Sequence, residues 1–287
     1  MGKKTWSKKP IEWKDGKNVF LSIVFSWDLP KMRERIIDLS SEGYQVHAGG
    51  PAVKLNPSYL EDIAFCNEQE IPSLWRHNPN ATFTSRGCIR KCKFCAVPTI
   101  EGNLVELDDW PVRPIICDNN LLACSRIHFD SVVDNLKSIS GIDFNQGLDA
   151  RLLTKYHAER LAELDCLVRL AWDDIAYENS FRRAYQLLRE AGFPANKIQA
   201  YVLIGYKDTP EDALYRLQEI WKTKSFPNPM RYQSLNALKK NEFVGDAWTE
   251  AELRKYMKYW SRLFWYNVRF GISFEDFDYL KKKVKNG

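Results

Sequence analysis

No stretch of about 18 apolar residues occurs in the chain, so the sequence offers no transmembrane helix. It also lacks internal repeats and low-complexity segments, which removes solenoids and long disordered linkers from consideration. The basic stretch Met1–Pro10 is not followed by an apolar segment of signal-peptide type, and a cytoplasmic setting is expected. Neither sign of charge dominates. With 42 basic and 37 acidic residues, the net charge of +5 permits a polyanionic partner without demanding one. The cysteine count is odd, seven in all, which together with the missing secretion signal argues against a disulfide framework.

What is present begins with a core. Hydrophobic residues make up 45% of the 287, enough for one large domain or two small ones. Asn18–Ser26 reads as a buried strand. A helical pattern opens at Leu29-Pro30, carries Met32, Ile36, Ile37 and Leu39 on one face, and stops at Gly43. Tyr44–Ala48 reads as a second strand, so the start of the chain is expected to be a small β-α-β unit with parallel strands.

From Ala81 the chain alternates strand and helix. Strands are expected at Ala81–Ser85, Pro114–Asp118, Ile142–Gln146, Leu167–Trp172, Ile198–Ile204 and Arg231–Leu235. Helices are expected at Phe129–Ile139, Thr154–Leu164, Glu178–Ala191 and Pro210–Thr223, with start signals at Thr154 and Thr209-Pro210 and a stop at Gly192. Six strands with intervening helices imply a parallel α/β sheet, curved or closed, with its site at the C-terminal strand ends. Three segments are expected: residues 1–80, 81–238 and 239–287. The last, Thr249–Lys285, reads as helical and aromatic. Its rings serve either to cap the sheet or, mixed with Arg254, Lys255, Lys258, Arg262 and Arg269, to stack on bases. Lysine clusters at Lys3, Lys4, Lys8 and Lys9, and at Lys281, Lys282, Lys283 and Lys285, read as solvated ends or as phosphate contacts.

Three cysteines fall within eight residues, in Thr82-Phe83-Thr84-Ser85-Arg86-Gly87-Cys88-Ile89-Arg90-Lys91-Cys92-Lys93-Phe94-Cys95-Ala96-Val97-Pro98. The spacing is C-x3-C-x2-C, directly after an expected strand. Thiolates suit soft metals and iron–sulfur clusters, and three of them hold three corners of a cubane. Arg86, Arg90, Lys91 and Lys93 would offset the cluster's negative charge. Structural zinc wants four ligands, commonly from two C-x2-C pairs, and no second pair is present. Cys117 and Cys124 stand apart as C-x6-C, read as an auxiliary cluster, a catalytic pair or neither. Cys66 and Cys166 read as core residues.

This motif resembles that of the radical S-adenosylmethionine (SAM) superfamily, in which an aromatic precedes the third cysteine, as Phe94 does here. The resemblance covers about Ala81–Leu238. It implies an α/β fold of the partial (β/α)6 barrel type, with a small N-terminal β-α-β unit and a helical aromatic C-terminal extension beside it. It implies a 4Fe–4S cluster on Cys88, Cys92 and Cys95, SAM on the open iron, and a reductant such as flavodoxin or ferredoxin. Where many members have a Gly-Gly-Glu type segment for the SAM amino group, this chain has Cys117-Asp118-Asn119-Asn120, which implies SAM contacts at Asp118 and Asn119. Further cofactor contacts are implied at Phe94, at Gln146 in Asn145-Gln146-Gly147-Leu148-Asp149-Ala150-Arg151, at Asp173 in Trp172-Asp173-Asp174, and at Gly205.

The N-terminal unit resembles the last β-α-β of a cobalamin-binding domain, but no Asp-x-His-x-x-Gly motif occurs and His47 lies in a strand, so no cobalamin is expected. The substrate is expected to be a nucleotide or a base within nucleic acid. The alternatives are a small metabolite or peptide, or a non-enzymatic zinc-stabilised nucleic-acid-binding module.

Overall fold

A hairpin opens the protein. In the computed structural model, which describes residues 6–7, 9–66 and 73–278, β1 (Ile11–Asp15) pairs antiparallel with β2 (Asn18–Ser22), and Gly16, at φ +58°, makes the two-residue turn. The sequence reading missed β1, taking the residues before Asn18 as lacking a strand. Helix α1 (Leu29–Ser41) follows, then β3 (Gln45–Gly49), parallel to β2 with Val19 opposite Val46 and Leu21 opposite Ala48. The expected parallel β-α-β unit is therefore present. Leu29, Ile36 and Leu39 of α1 form one core with Val19, Leu21, Ile23, Val46 and Ala48. Each of the Val, Leu and Ile side chains among them contributes on the order of 1.5–3 kcal/mol by leaving water. Gly50, at φ +98°, lets the chain turn against β2, because a Cβ there would stand 2.6 Å from the Ile23 carbonyl oxygen. Short helices α2 (Pro51–Leu55) and α3 (Leu74–His77) lead onward.

The next elements are β4 (Ala81–Thr82), β5 (Ser85–Arg86), α4 (Val97–Ile100), β6 (Val105–Glu106) and β7 (Ile115–Ile116). β4 runs parallel to β7, and β5 antiparallel to β6. The single strand expected at Ala81–Ser85 is split in two at Phe83-Thr84. There the Thr84 N–H bonds the Asp118 carboxylate at 2.6 Å instead of a ladder carbonyl. Among the described residues, those up to 128 together with 233–242 form one compact unit, and 129–232 with 243–278 a second.

Helix α5 (Arg126–Leu136) leads into the second unit, whose strands are β8 (Ile142–Phe144), β9 (Cys166–Ala171), β10 (Ile198–Ile204) and β11 (Phe226–Arg231). They run parallel in that order, connected by α6 (Lys155–Ala162), α7 (Glu178–Glu190) and α8 (Pro210–Lys222). The class is α/β, with four parallel strands in this unit and the parallel pair β4 and β7 in the first. Thr154 and Thr209 each close a capping box with the residue three places on, worth about 1 kcal/mol apiece.

The last strand does not lie at Arg231–Leu235, as expected, but at Phe226–Arg231. Pro227 and Pro229 argue against a strand from sequence. They are accommodated because β11 is an edge, paired only with β10, where a missing N–H breaks no ladder. Alternation along β9 and β10 buries Val168, Leu170, Ile198, Ala200, Val202 and Ile204 on one face. The other face is half-buried and polar. It carries the Arg169–Asp143 ion pair, Tyr201 donating to the Asn145 carbonyl at 2.8 Å, and Asn228 donating to Gln199 at 3.2 Å.

Helix α9 (Glu250–Trp260) buries Leu253, Tyr256, Tyr259 and Trp260, and a six-residue π-helix, Phe264–Arg269, follows it. Tyr279, Lys3, Lys4, Lys8, and Lys281, Lys282, Lys283 and Lys285 lie outside the described residues. Among the described residues, no helix is long and apolar enough to cross a membrane.

Candidate cofactor site

The cysteine loop leaves from β5 and returns through β6, so the antiparallel pairs Ser85–Glu106 and Arg86–Val105 clamp its base. Cys88 N–H donates to the Gly102 carbonyl at 3.2 Å, which continues the clamp by one rung. Gly87 sits between at φ +73°. A Cβ there would stand 2.0 Å from the Asn103 carbonyl oxygen, so only glycine fits the crossing. Within the loop, Cys95 N–H donates to the Cys92 carbonyl at 3.0 Å, closing a turn between the second and third thiols.

Two carboxylates hold this loop. Glu101, with a side chain only 9% exposed, takes both arms of the Arg86 guanidinium at 2.9 and 2.8 Å, the Gly87 N–H at 2.9 Å and the Asn119 amide at 2.5 Å. The clasp is bidentate and charge-assisted, the strong form of such contacts. Asp118 is buried beyond β7. Its carboxylate accepts from Thr84 N–H at 2.6 Å, from Ser85 Oγ at 2.9 Å and from Thr84 Oγ1. Burial pushes the Asp118 carboxyl up, and the donors from Thr84 and Ser85 pull against it. Because the Thr84 hydroxyl spends its proton on Asp118, His128 Nε2, 3.2 Å from that oxygen, is the donor to it.

The thiols divide into two kinds. Cys88, Cys92 and Cys95 are half-buried, and Cys88 Sγ accepts from Arg90 N–H at 3.3 Å and from Asn120 Nδ2 at 3.5 Å. N–H donors aimed at sulfur are contacts of the kind that metal-bound sulfur accepts. Asn120 Oδ1 is buried beside it without a hydrogen-bond partner. Burial pushes Cys117 and Cys166 up to about 12 and Cys124 up to about 11, so these stay protonated at neutral pH. Burial raises Cys66 as well. Among the described residues, no three His, Cys, Asp or Glu side chains are grouped as a metal ligand set. The loop thus fits a thiolate-bound cluster in donor type, in exposure and in the N–H donors on Cys88, with its three sulfurs not drawn together.

Asp118 and Asn119, expected beside a cofactor, hydrogen-bond to Thr84, Ser85 and Glu101 at the base of the loop. Gln146 is exposed just past β8. Asp173 follows β9 and is half-buried. Burial pushes its carboxyl up to about 6, against the pull of Arg216, Arg151 and the Leu203 N–H, with Asp149 adding to the rise. Asp149 pairs with Arg151 at 2.7 Å, and that guanidinium lies 4.6 Å from the Tyr177 ring centre. These groups cluster at the C-terminal strand ends of the second unit. Gly205, at φ +80°, donates its N–H to Asp208 at 2.9 Å, and a Cβ there would meet Leu253 at 2.7 Å. Close packing of α9 therefore explains that glycine.

Sequence reasoning missed Glu101 and the buried Arg216. Arg216 is fully buried, donating to the Trp172 carbonyl at 2.9 Å, the Asp212 carbonyl at 3.2 Å and Asp208 at 2.5 Å. A signal was available: Arg216 sits on the apolar stripe of α8 with Ala213, Leu217 and Ile220, where a cation must find a partner. Glu101 had no such signal, since its partners lie on the far side of the loop. In comparisons with known proteins, no family model matches the chain and no curated protein matches it in sequence.

Proposed function

We propose that the chain is a radical SAM enzyme, a partial (β/α)6 barrel in type, with a 4Fe–4S cluster on Cys88, Cys92 and Cys95. The observation that carries the reading is the C-x3-C-x2-C loop, with Phe94 before its third cysteine, clamped at the end of a parallel strand pair and with N–H donors on Cys88. When bound, the cluster would supply the electron for reductive cleavage of SAM, and with it the means to abstract hydrogen from the substrate. The chain's own residues position and neutralise. Arg90 and Asn120 direct N–H groups at Cys88, and Arg90, Lys91 and Lys93 offset negative charge, Arg86 being paired with Glu101. Glu101 and Asp118 fix the base of the loop, and Asp118 and Asn119 beside it are assigned to SAM. Phe94, Gln146, Asp173 and Gly205 are assigned to SAM. The partner is a reductant such as flavodoxin or ferredoxin, the setting is cytoplasmic, and no cobalamin is involved.

The proposed substrate is a nucleotide or a base in nucleic acid. The polar groups at the second unit's strand ends, Asp149, Arg151 and Asp173, are of the kinds that read base edges. Anaerobic reconstitution is expected to give about four iron and four sulfide per chain. Replacing Cys88, Cys92 or Cys95 by Ala should abolish uptake, and replacing Cys66 or Cys166 should not. SAM should perturb the cluster spectrum and, with reductant, release 5′-deoxyadenosine. A colourless protein with stoichiometric zinc would overturn the reading in favour of a zinc-stabilised module. A cluster that turns over no nucleoside or nucleic acid would move the substrate to a small metabolite or peptide.

A further inference from the structure

The aromatic segment after β11 does two things at once. Tyr256, Tyr259, Trp260, Phe274 and Phe277 are buried, and they tie the segment down through Tyr256 donating to the Pro210 carbonyl at 2.7 Å and Tyr259 to the Ile272 carbonyl at 2.9 Å. Phe264, Trp265 and Phe270 point outward, at 61%, 48% and 43% exposure. Water-facing rings of this size need a reason when half of their neighbours have found a core. They sit on and beside the π-helix Phe264–Arg269, a rare helical form that recurs at functional positions. Trp265 and Phe270 meet edge to face at 5.1 Å, and the Arg269 guanidinium lies 5.4 Å from the Trp265 ring centre. Residues 253–274 hold Arg254, Lys255, Lys258, Arg262 and Arg269 and no acid. Arg254 is spent on Glu250 at 2.5 Å, while Arg262 and Arg269 are exposed among the rings.

We infer that this π-helical patch is a docking surface for single-stranded nucleic acid, with bases stacked on Trp265, Phe270 and Phe264 and phosphates met by Arg262 and Arg269. Charge complementarity names the occupant. Exposed flat rings interleaved with guanidinium groups, over a run without carboxylates, match a polyanion whose bases are unstacked. A second copy of this patch would bring like charges together. A lipid surface is disfavoured by the shape: the exposed apolar groups are three rings and Val268 on a single short helical segment, broken by two arginines. The inference deepens the nucleic-acid arm of the proposed function and rests on that arm alone. No cysteine contributes to the patch.

The test is anisotropy of labelled single strands of about 15 nucleotides, DNA and RNA, with the full chain at two salt concentrations. Binding should weaken with salt and exceed that of the matching duplex. Trp265→Ala with Phe270→Ala should lower affinity by on the order of tenfold or more per ring lost. Arg262→Ala with Arg269→Ala should shallow the salt dependence by about 0.7 in slope for each phosphate contact removed. Circular dichroism checks that these surface variants fold. Binding should persist in the chain with Cys88, Cys92 and Cys95 all replaced by Ala, which separates this surface from the cluster reading. Equal affinity of wild type and ring variants would overturn the proposal, as would binding only to anionic phosphatidylglycerol vesicles. Self-association that the ring variants abolish, without oligonucleotide binding, would overturn it in favour of a second copy.

Discussion

The cysteine loop and the strand ends of the second unit are both polar, yet they are held in opposite ways. The loop depends on side chains that reach across its base: Glu101 to Arg86, Gly87 and Asn119, and Asp118 to Thr84 and Ser85. None of Cys88, Cys92 or Cys95 is in the buried core. The strand ends instead sit on an apolar frame of alternating β9 and β10 side chains, and their charges are anchored by the buried Arg216. The first arrangement fails locally when one carboxylate is lost. The second fails globally, because its cation cannot be left alone in the core.

Arg216→Ala is the largest test of that difference. It leaves the half-buried Asp208 without its cation, strips the Trp172 carbonyl of its donor and empties a fully buried volume, so unfolding free energy should fall by about 3–5 kcal/mol, read as a lower urea midpoint. Asp208→Asn added to the same chain should recover part of the loss. A midpoint unchanged by Arg216→Ala would erase the contrast between the two regions.

Asp173 gives the strand ends a pH signature. The folded protein keeps a proton on this carboxyl up to about pH 6, whereas the unfolded chain releases it near the ordinary 3.8. Between those values unfolding releases a proton, so rising pH favours unfolding, and the burden is complete above about pH 6. The wild type should lose on the order of 2 kcal/mol relative to Asp173→Asn across this window. Urea midpoints of both chains from pH 4 to 7 measure it, and parallel pH curves would refute it.

Glu101→Gln is the matching test on the loop. The amide keeps the shape and loses the charge that Arg86 and Gly87 N–H share, a local cost of about 1–3 kcal/mol. In the cluster-free chain, Cys88, Cys92 and Cys95 should react about tenfold faster with a thiol reagent, the factor expected for roughly 1.4 kcal/mol of easier loop opening. The urea midpoint should move far less than with Arg216→Ala. Equal thiol rates would show that the clasp does not order the loop.

These regions were unequally legible in the sequence. β10 was placed to the residue, because Ile198–Ile204 alternates cleanly between turn signals. Helix starts at Thr154 and Thr209 were legible because capping is a local code. β11 was displaced because Pro227 and Pro229 read as breakers, and nothing local says that the strand is an edge. β1 was missed because a five-residue strand with two acids and a lysine carries little apolar signal. At the site, the cysteine spacing and Gly87 were visible, but the partners of Glu101, Asp118 and Asn119 were not, since hydrogen bonds between segments leave no periodic trace. The tail was legible only as aromatic. Which rings turn inward depends on α9 and the π-helix, and a π-turn shifts the register that a 3.6-residue period would give.

Gln146→Ala should have the smallest effect on stability, and that is its use. Gln146 is exposed beyond the last residue of β8, in the turn that Gly147 makes at φ +90°. The neighbouring Asn145 carbonyl is fixed by Tyr201, and Leu148 N–H by the Arg169 carbonyl at 2.6 Å, so the backbone is held on both sides without the Gln146 side chain. An exposed substitution in such a frame changes unfolding free energy by no more than about 0.5 kcal/mol. Any consequence should therefore appear only in binding. Under the proposed function, Gln146→Ala should weaken the spectral response of the reconstituted cluster to SAM while the urea midpoint stays put. A midpoint that moves as far as with Glu101→Gln would make Gln146 part of the strand-end framework. An unchanged midpoint with an unchanged SAM response would take Gln146 out of the site and leave Asp173 as the polar strand-end group assigned to SAM.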